Sequence, residues 1–90
     1  MIKAKKHYTL VSFLETTKPI VRASIIEQYP HINIDYYDKV ADVYFYMLQL
    51  MAVQEITAMC TKEFPIVMLI NRQLRKHGMS ITKEGIMLNF

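Results

Sequence analysis

The feature that most constrains this chain is the apolar stretch Val43–Val53, in which Gln49 is the one strongly polar residue. Its eleven residues are too few to cross a bilayer, which takes about 20, and Asp42 precedes it while Gln54 and Glu55 follow it. Apolar side chains of such a stretch are shielded from water only when they are buried inside a folded domain or at an interface. We therefore expect a helix that is apolar on nearly all sides and that other helices, or another chain, must surround.

We predict that this central helix covers residues 35–60, with Asn33 or Asp35 as its N-terminal cap. Three aspartates fall in its first turns, where the helix dipole stabilises carboxylates: Asp35, Asp38 and Asp42. With His31 just upstream, the same carboxylates could belong to a metal site, but a bound ion needs ligands from several elements, and no second cluster occurs. We adopt the capping interpretation and expect no bound metal.

The N-terminal third is predicted to be helical after a basic tail of residues 1–7. Residues 9–28 form either one kinked helix or two short ones, because Pro19 lies in the middle. In the second version Pro19 occupies the first turn of a new helix that Thr17 caps. The dipeptide Tyr29-Pro30 ends the segment, since the residue before a proline avoids the helical region.

The C-terminal third is predicted to contain a helix over residues 62–77, with Pro65 in its first turn and Gly78 as its left-handed C-terminal cap. Residues 79–90 then form a small hairpin that turns at Gly85, or a short helix, or a free apolar peptide that docks on a partner. The fold class is therefore mainly all-α: a single three-helix domain with a long central helix and a short C-terminal β-hairpin.

The central helix carries two adjacent apolar seams. The first has the spacing 4, 3, 4 and 7, typical of packed helices, and consists of Val40, Tyr44, Met47, Met51 and Ala58. The second is spaced 3, 4, 3 and consists of Val43, Tyr46, Leu50 and Val53. Because Met and Tyr suit adaptable contacts, we expect a self-association or partner interface formed by Val40, Tyr44, Met47, Leu48 and Met51. The alternative is that these residues are ordinary core.

The third helix ends in a cluster of cations. With its apolar positions facing the core, one outward face collects Arg72, Arg75 and Lys76. Arg and Lys hold phosphates, and Arg also reads base edges. A basic helix followed by a hairpin resembles the end of a winged-helix domain, with Lys83 at the tip of the hairpin, although no recognisable helix-turn-helix turn precedes it. The alternative is a solvated helix end whose cations complement the dipole.

Nothing in the sequence indicates catalysis. The three histidines have no Ser or Cys partner at a catalytic spacing, and Gly-rich phosphate loops, paired cysteines and metalloprotease motifs are absent. We expect no cofactor and no small-molecule substrate.

Cys60 is the only cysteine, which excludes an intrachain disulfide and fits the reducing cytoplasm. An excess of isoleucine and lysine over alanine fits an AT-rich coding sequence, as in a virus or phage.

These observations favour a small, non-enzymatic regulatory or adaptor protein. It would self-associate through its central helix, as a homodimer or a larger oligomer, and act by binding another macromolecule. The alternative function is that of a DNA- or RNA-binding transcriptional regulator, winged-helix-like, which uses Arg72, Arg75, Lys76 and Lys83. A net charge of +3 permits nucleic acid as a partner without requiring it. We expect no membrane partner.

Overall fold

The computed structural model describes residues 10–50, 63–82 and 85–88. In chain order these residues form α1 (Leu10–Gln28), α2 (Ile34–Leu50), α3 (Phe64–Lys76), β1 (Met79–Thr82) and β2 (Gly85–Leu88). The predicted fold class is confirmed: the protein is mostly helical and has a short antiparallel hairpin after its last helix. The basic tail, residues 51–60 of the predicted central helix (Met51 among them) and Lys83 lie outside the described residues.

Helix α1 is one continuous helix that passes through Pro19. The prediction that Thr17 caps a second helix is wrong, because the Thr17 hydroxyl donates to the carbonyl of Phe13, four residues back, at 2.8 Å. A capping side chain would instead accept from an amide further along the chain. Thr17 is buried, so its hydroxyl needs such a partner, and the carbonyl of the preceding turn supplies one. The helix ends at Gln28, just before Tyr29-Pro30, as the sequence predicts.

Helix α2 begins where its cap is predicted. The side chain of Asn33 accepts a hydrogen bond from the amide of Tyr36 at 3.1 Å, and the carbonyl of Asn33 accepts from the amide of Tyr37. Asn33 is therefore the N-terminal cap, and Asp35 stands in the first turn, where its charge suits the helix dipole.

Helix α3 and the hairpin are joined by a tight reversal at Gly78. Pro65 lies in the first turn of α3, where its missing N–H costs no hydrogen bond. Gly78 has φ of 99°, a left-handed value that favours glycine, and its amide donates to the carbonyl of Arg75. The chain then reverses into β1, which pairs antiparallel with β2 from Met79 opposite Leu88 to Thr82 opposite Gly85.

The core forms where one side of α2 packs between α1 and α3. Its largest fully buried side chains come from all three helices and from β1: Tyr37, Tyr44, Phe45, Leu14, Ile25, Leu48, Ile70, Leu74, Met79, Val21 and Val67. Two polar contacts join α1 to α2 at the surface. Arg22 donates to both carboxylate oxygens of Asp38 at 2.9 and 3.2 Å, and the ammonium of Lys18 lies 5.7 Å from the centre of the Phe45 ring.

Tyr37 is the exception in this core. Its side chain is 1% exposed, and within the described part of the chain its hydroxyl has no hydrogen-bond partner. Burial, with the nearby charge of Asp38, raises the pKa of Tyr37 to about 12. The neutral phenol is thus favoured in the folded state, yet its hydroxyl stays unsatisfied, and an unsatisfied buried polar group destabilises a fold.

We predict that Tyr37→Phe stabilises the protein by about 1 kcal/mol near neutral pH, because it removes an unpaired buried hydroxyl. It should also change the alkaline behaviour. An unfolded tyrosine ionises near pH 10, whereas Tyr37 in the folded state resists ionisation up to about pH 12. The free energy of unfolding of the wild type is therefore unaffected by Tyr37 ionisation below pH 10 and falls as pH rises towards 12, by about 1 kcal/mol at pH 11.

Urea unfolding at pH 8 and pH 11 measures both effects. Tyr37→Phe should lose less stability between these two pH values than the wild type does. Tyr29→Phe, a matched change at an exposed tyrosine between α1 and α2, should keep the wild-type loss. Equal losses in all three proteins would contradict the assignment to Tyr37.

Candidate functional site

The outward side of α3 is a basic face, which we define as Arg72, Arg75 and Lys76. All three side chains are exposed. The opposite side of the helix is apolar and enters the core through Ile66, Val67, Ile70 and Leu74. Ile70 follows Ile66 and Val67 by four and three positions, and Leu74 follows Ile70 by four. This helical spacing fixes the rotation of α3 about its axis. The sequence-predicted cations are therefore together on one accessible surface.

The basic face has no compensating charge on its own helix. From Phe64 to Lys76, α3 contains three cations and no acidic residue, whereas α2 contains three aspartates and one lysine. In the described part of the chain the cations of α3 form no ion pair, and the salt bridge found there joins Arg22 to Asp38. That contact holds the pKa of Asp38 below its usual range. The charges of α3 thus stay available to an external anion.

The hairpin lies directly beside the basic face. Between α3 and β1 there is a cleft of about 220 Å³, which we call the α3–β1 cleft. It is lined by Asn71, Leu74, Arg75, Met79, Ser80 and Ile81. Asn71 is held in place from the core side, because the hydroxyl of Tyr44 donates to its side-chain oxygen. Lys83, the predicted tip of the hairpin, lies outside the described residues.

The predicted interface on α2 requires correction. Val40, Tyr44 and Leu48 are at most 6% exposed and pack inside their own chain, so a second chain cannot reach them in the folded protein. Met47 is partly buried against the same core, and Met51 lies outside the described residues. The reason is physical: α1 and α3 cover one side of α2, and they cover the first seam rather than the second.

The described residues of the second seam face outward instead, while Val53 lies outside the described residues. Val43 is 47% exposed, and Tyr46 and Leu50 are each 60% exposed. We call these three residues the outer face of α2. Lys39 and Asp42 are also exposed on this helix. Large apolar side chains that stand together at a surface commonly mark a contact with another macromolecule.

An apolar groove lies at the other end of α3. It has a volume of about 510 Å³ and is formed by the α1–α2 connector, including Tyr29 and His31, and by Pro65, Ile66 and Leu69 of α3. Among the described residues that line it, His31 is the one histidine and none is a carboxylate.

The aspartates of α2 do not form a metal centre with His31. Asp38 is engaged by Arg22, and among the described residues no group of three or more His, Cys, Asp or Glu side chains is placed to hold an ion.

None of the helices seen in residues 10–50 and 63–82 has the length and apolar content that crossing a bilayer requires.

The sequence did not predict that Ser80 and Asn71 lie together in the α3–β1 cleft. The position of a serine in a predicted strand does not show which residues of a helix lie next to it. The stretch Asn71-Arg72-Gln73 suggests two amides beside an arginine, yet Gln73 is 4% exposed and Asn71 is bound by Tyr44. The fully exposed polar residues of α3 are therefore its cations.

No protein-family model, curated protein sequence or solved structure matches this chain. The function is therefore inferred from the geometry and charge of the surfaces described above.

The hydrogen bond from Tyr44 to Asn71 ties α2 to α3 next to the basic face. We predict that Tyr44→Phe destabilises the protein by about 1 kcal/mol, the usual net value of one such bond. The midpoint of urea unfolding measures this change. Tyr29→Phe, whose side chain is exposed, should change stability by less than about 0.5 kcal/mol. Equal effects of the two substitutions would show that the bond contributes nothing.

Proposed function

We propose that this protein is a small regulatory protein that binds duplex DNA with the basic face of α3 and with the hairpin beside it. The single observation that carries the proposal is the set of three exposed cations on α3, with no acidic residue on the same helix. Arginine and lysine side chains of this kind neutralise phosphates and release the counterions around them.

The shape of the surface favours duplex DNA over other nucleic acids. The major groove of B-form DNA is wide enough to admit an α-helix, and the basic residues fall on the exposed side of α3. The deep, narrow major groove of A-form RNA does not admit side chains in this way. The order of α3 followed by a two-stranded hairpin is also the winged-helix-like order expected from the sequence.

The contacts available from α3 are mainly to phosphates. An asparagine reads an adenine edge with its oxygen and its nitrogen together, but the oxygen of Asn71 already accepts from Tyr44, and Gln73 is buried. Arg72 remains as a side chain that can reach a guanine edge. We therefore expect binding with a large electrostatic component and modest dependence on sequence.

A salt titration tests this proposal. The affinity of the wild type for a mixed-sequence duplex DNA should fall steeply as salt rises, and the triple variant Arg72→Gln, Arg75→Gln, Lys76→Gln should reduce the log–log slope by about 2.7, or about 0.9 for each lost phosphate contact. Fluorescence anisotropy measures both slopes.

The control for this titration is Lys18→Gln, which removes one positive charge from α1 and should leave the slope close to that of the wild type. Duplex RNA and single-stranded DNA serve as competing ligands and should bind less tightly than duplex DNA. A wild-type protein that does not bind duplex DNA, or whose binding does not depend on salt, would overturn the proposal.

A second function, self-association, is supported by the outer face of α2. Val43, Tyr46 and Leu50 continue the 3 and 4 spacing with which paired helices pack against each other. The same helix exposes both Lys39 and Asp42, so a second copy related by a two-fold axis can meet opposite charges. We therefore propose a second copy of this chain as the occupant, and two joined copies would present two basic faces to one DNA molecule.

We predict that the double variant Tyr46→Glu, Leu50→Glu is a folded monomer, because two carboxylates cannot be buried unpaired at the contact. Sedimentation velocity measures the mass, and circular dichroism checks the fold. Ile20→Glu is the matched control: Ile20 is 46% exposed on α1, and this variant should keep the wild-type mass. A monomeric wild-type protein at the highest soluble concentration would refute self-association.

A further inference from the structure

The α3–β1 cleft adds a feature that a basic helix alone does not have. Its lining includes Arg75 of the basic face together with Ser80 and Ile81 of β1. Leu74 and Met79, each 1% exposed, also line it. One wall therefore comes from a helix and the other from a strand, and Gly78 holds the two together in a fixed reversal.

Three side chains in this cleft can donate hydrogen bonds. The guanidinium of Arg75 is a planar fork of donors that matches a phosphate, and the hydroxyl of Ser80 adds another donor. The third comes from Asn71: because its oxygen accepts from Tyr44, its amide nitrogen remains available as a donor. None of the described residues that line the cleft is acidic. A site with several donors and no carboxylate selects an anion.

The size of the cleft also fits a nucleic acid backbone. About 220 Å³ is several times the roughly 30 Å³ that one water occupies, so a phosphate fits with room for the sugar attached to it. The apolar side chains of Leu74, Met79 and Ile81 suit the carbon face of a sugar, while the polar side chains suit the phosphate. A free inorganic anion would leave this apolar part without a partner.

We propose that the α3–β1 cleft is the site at which this protein binds one phosphate of the duplex DNA backbone, with Arg75, Ser80 and Asn71 as the donors. This inference rests on the proposed DNA binding. It divides the basic face into two parts. Arg75 binds a phosphate inside the cleft together with Ser80, whereas Arg72 and Lys76 contact the DNA outside it. Such contacts position a protein on the duplex without reading its sequence.

The first experiment places a negative charge in the cleft. Ser80→Asp should weaken binding to a mixed-sequence duplex DNA at least about tenfold, because the new carboxylate repels the phosphate and removes a donor to a charged group. The matched control is Ser24→Asp on α1, which makes the same change in net charge away from the cleft and should weaken binding much less. Thermal unfolding of each variant verifies that it is folded.

The second experiment is a double-mutant cycle, which measures whether two residues act on the same group. The loss of affinity caused by Ser80→Ala should be much smaller in an Arg75→Gln background than in the wild type. In an Arg72→Gln background the loss should equal that in the wild type. Ser80→Ala is a mild change, so this cycle stays informative even where Ser80→Asp does not fold.

The outcomes separate this inference from the function on which it rests. Coupling of Ser80 to Arg75 but not to Arg72 supports the cleft as the phosphate site. A wild-type protein that binds DNA with a steep salt dependence, but in which Ser80 couples to neither arginine or equally to both, overturns the cleft and leaves the proposed function intact. A wild-type protein that does not bind duplex DNA at all overturns both.

Discussion

The structure depends on the burial of one side of α2 between α1 and α3. Tyr37, Tyr44, Phe45 and Leu48 of α2 are at most 2% exposed, and each fully buried side chain of this size contributes on the order of 2 kcal/mol. Two helices can cover only part of the circumference of a third. The residues on the far side of α2 therefore stay at the surface however apolar they are, and the outer face is a geometric result of the same packing that makes the core.

Polar contacts then set the orientation of the elements around this core. Tyr44 reaches from α2 to Asn71 of α3, and Arg22 reaches from α1 to Asp38 of α2. Gly78, with its left-handed φ, reverses the chain so that β1 lines the α3–β1 cleft together with α3. The apolar repeat of α3 decides which of its residues face the solvent, and the reversal at Gly78 decides which strand lies beside them.

Much of this architecture could be predicted from the sequence. The cap at Asn33, the first turn at Pro65 and the reversal at Gly78 follow from local backbone chemistry, which a sequence shows directly. The outward direction of Arg72, Arg75 and Lys76 follows from helical periodicity. Which seam of α2 would be buried could not be predicted, because both seams have suitable spacing and the choice depends on how α1 and α3 pack. The choice between one helix and two short ones, with Thr17 as the cap of the second, stays open for a similar reason: the sequence does not show that the helix continues through Pro19.

The distribution of charge between the helices has a consequence for how the protein would associate with the duplex DNA proposed as its ligand. The cations of α3 and the aspartates of α2 give the molecule a separation of charge, positive over one helix and negative over another. In the field of a polyanion such a body experiences a torque before it makes any contact, and it turns its positive side towards the polyanion. Encounters with DNA would then begin with the basic face of α3 turned towards the duplex.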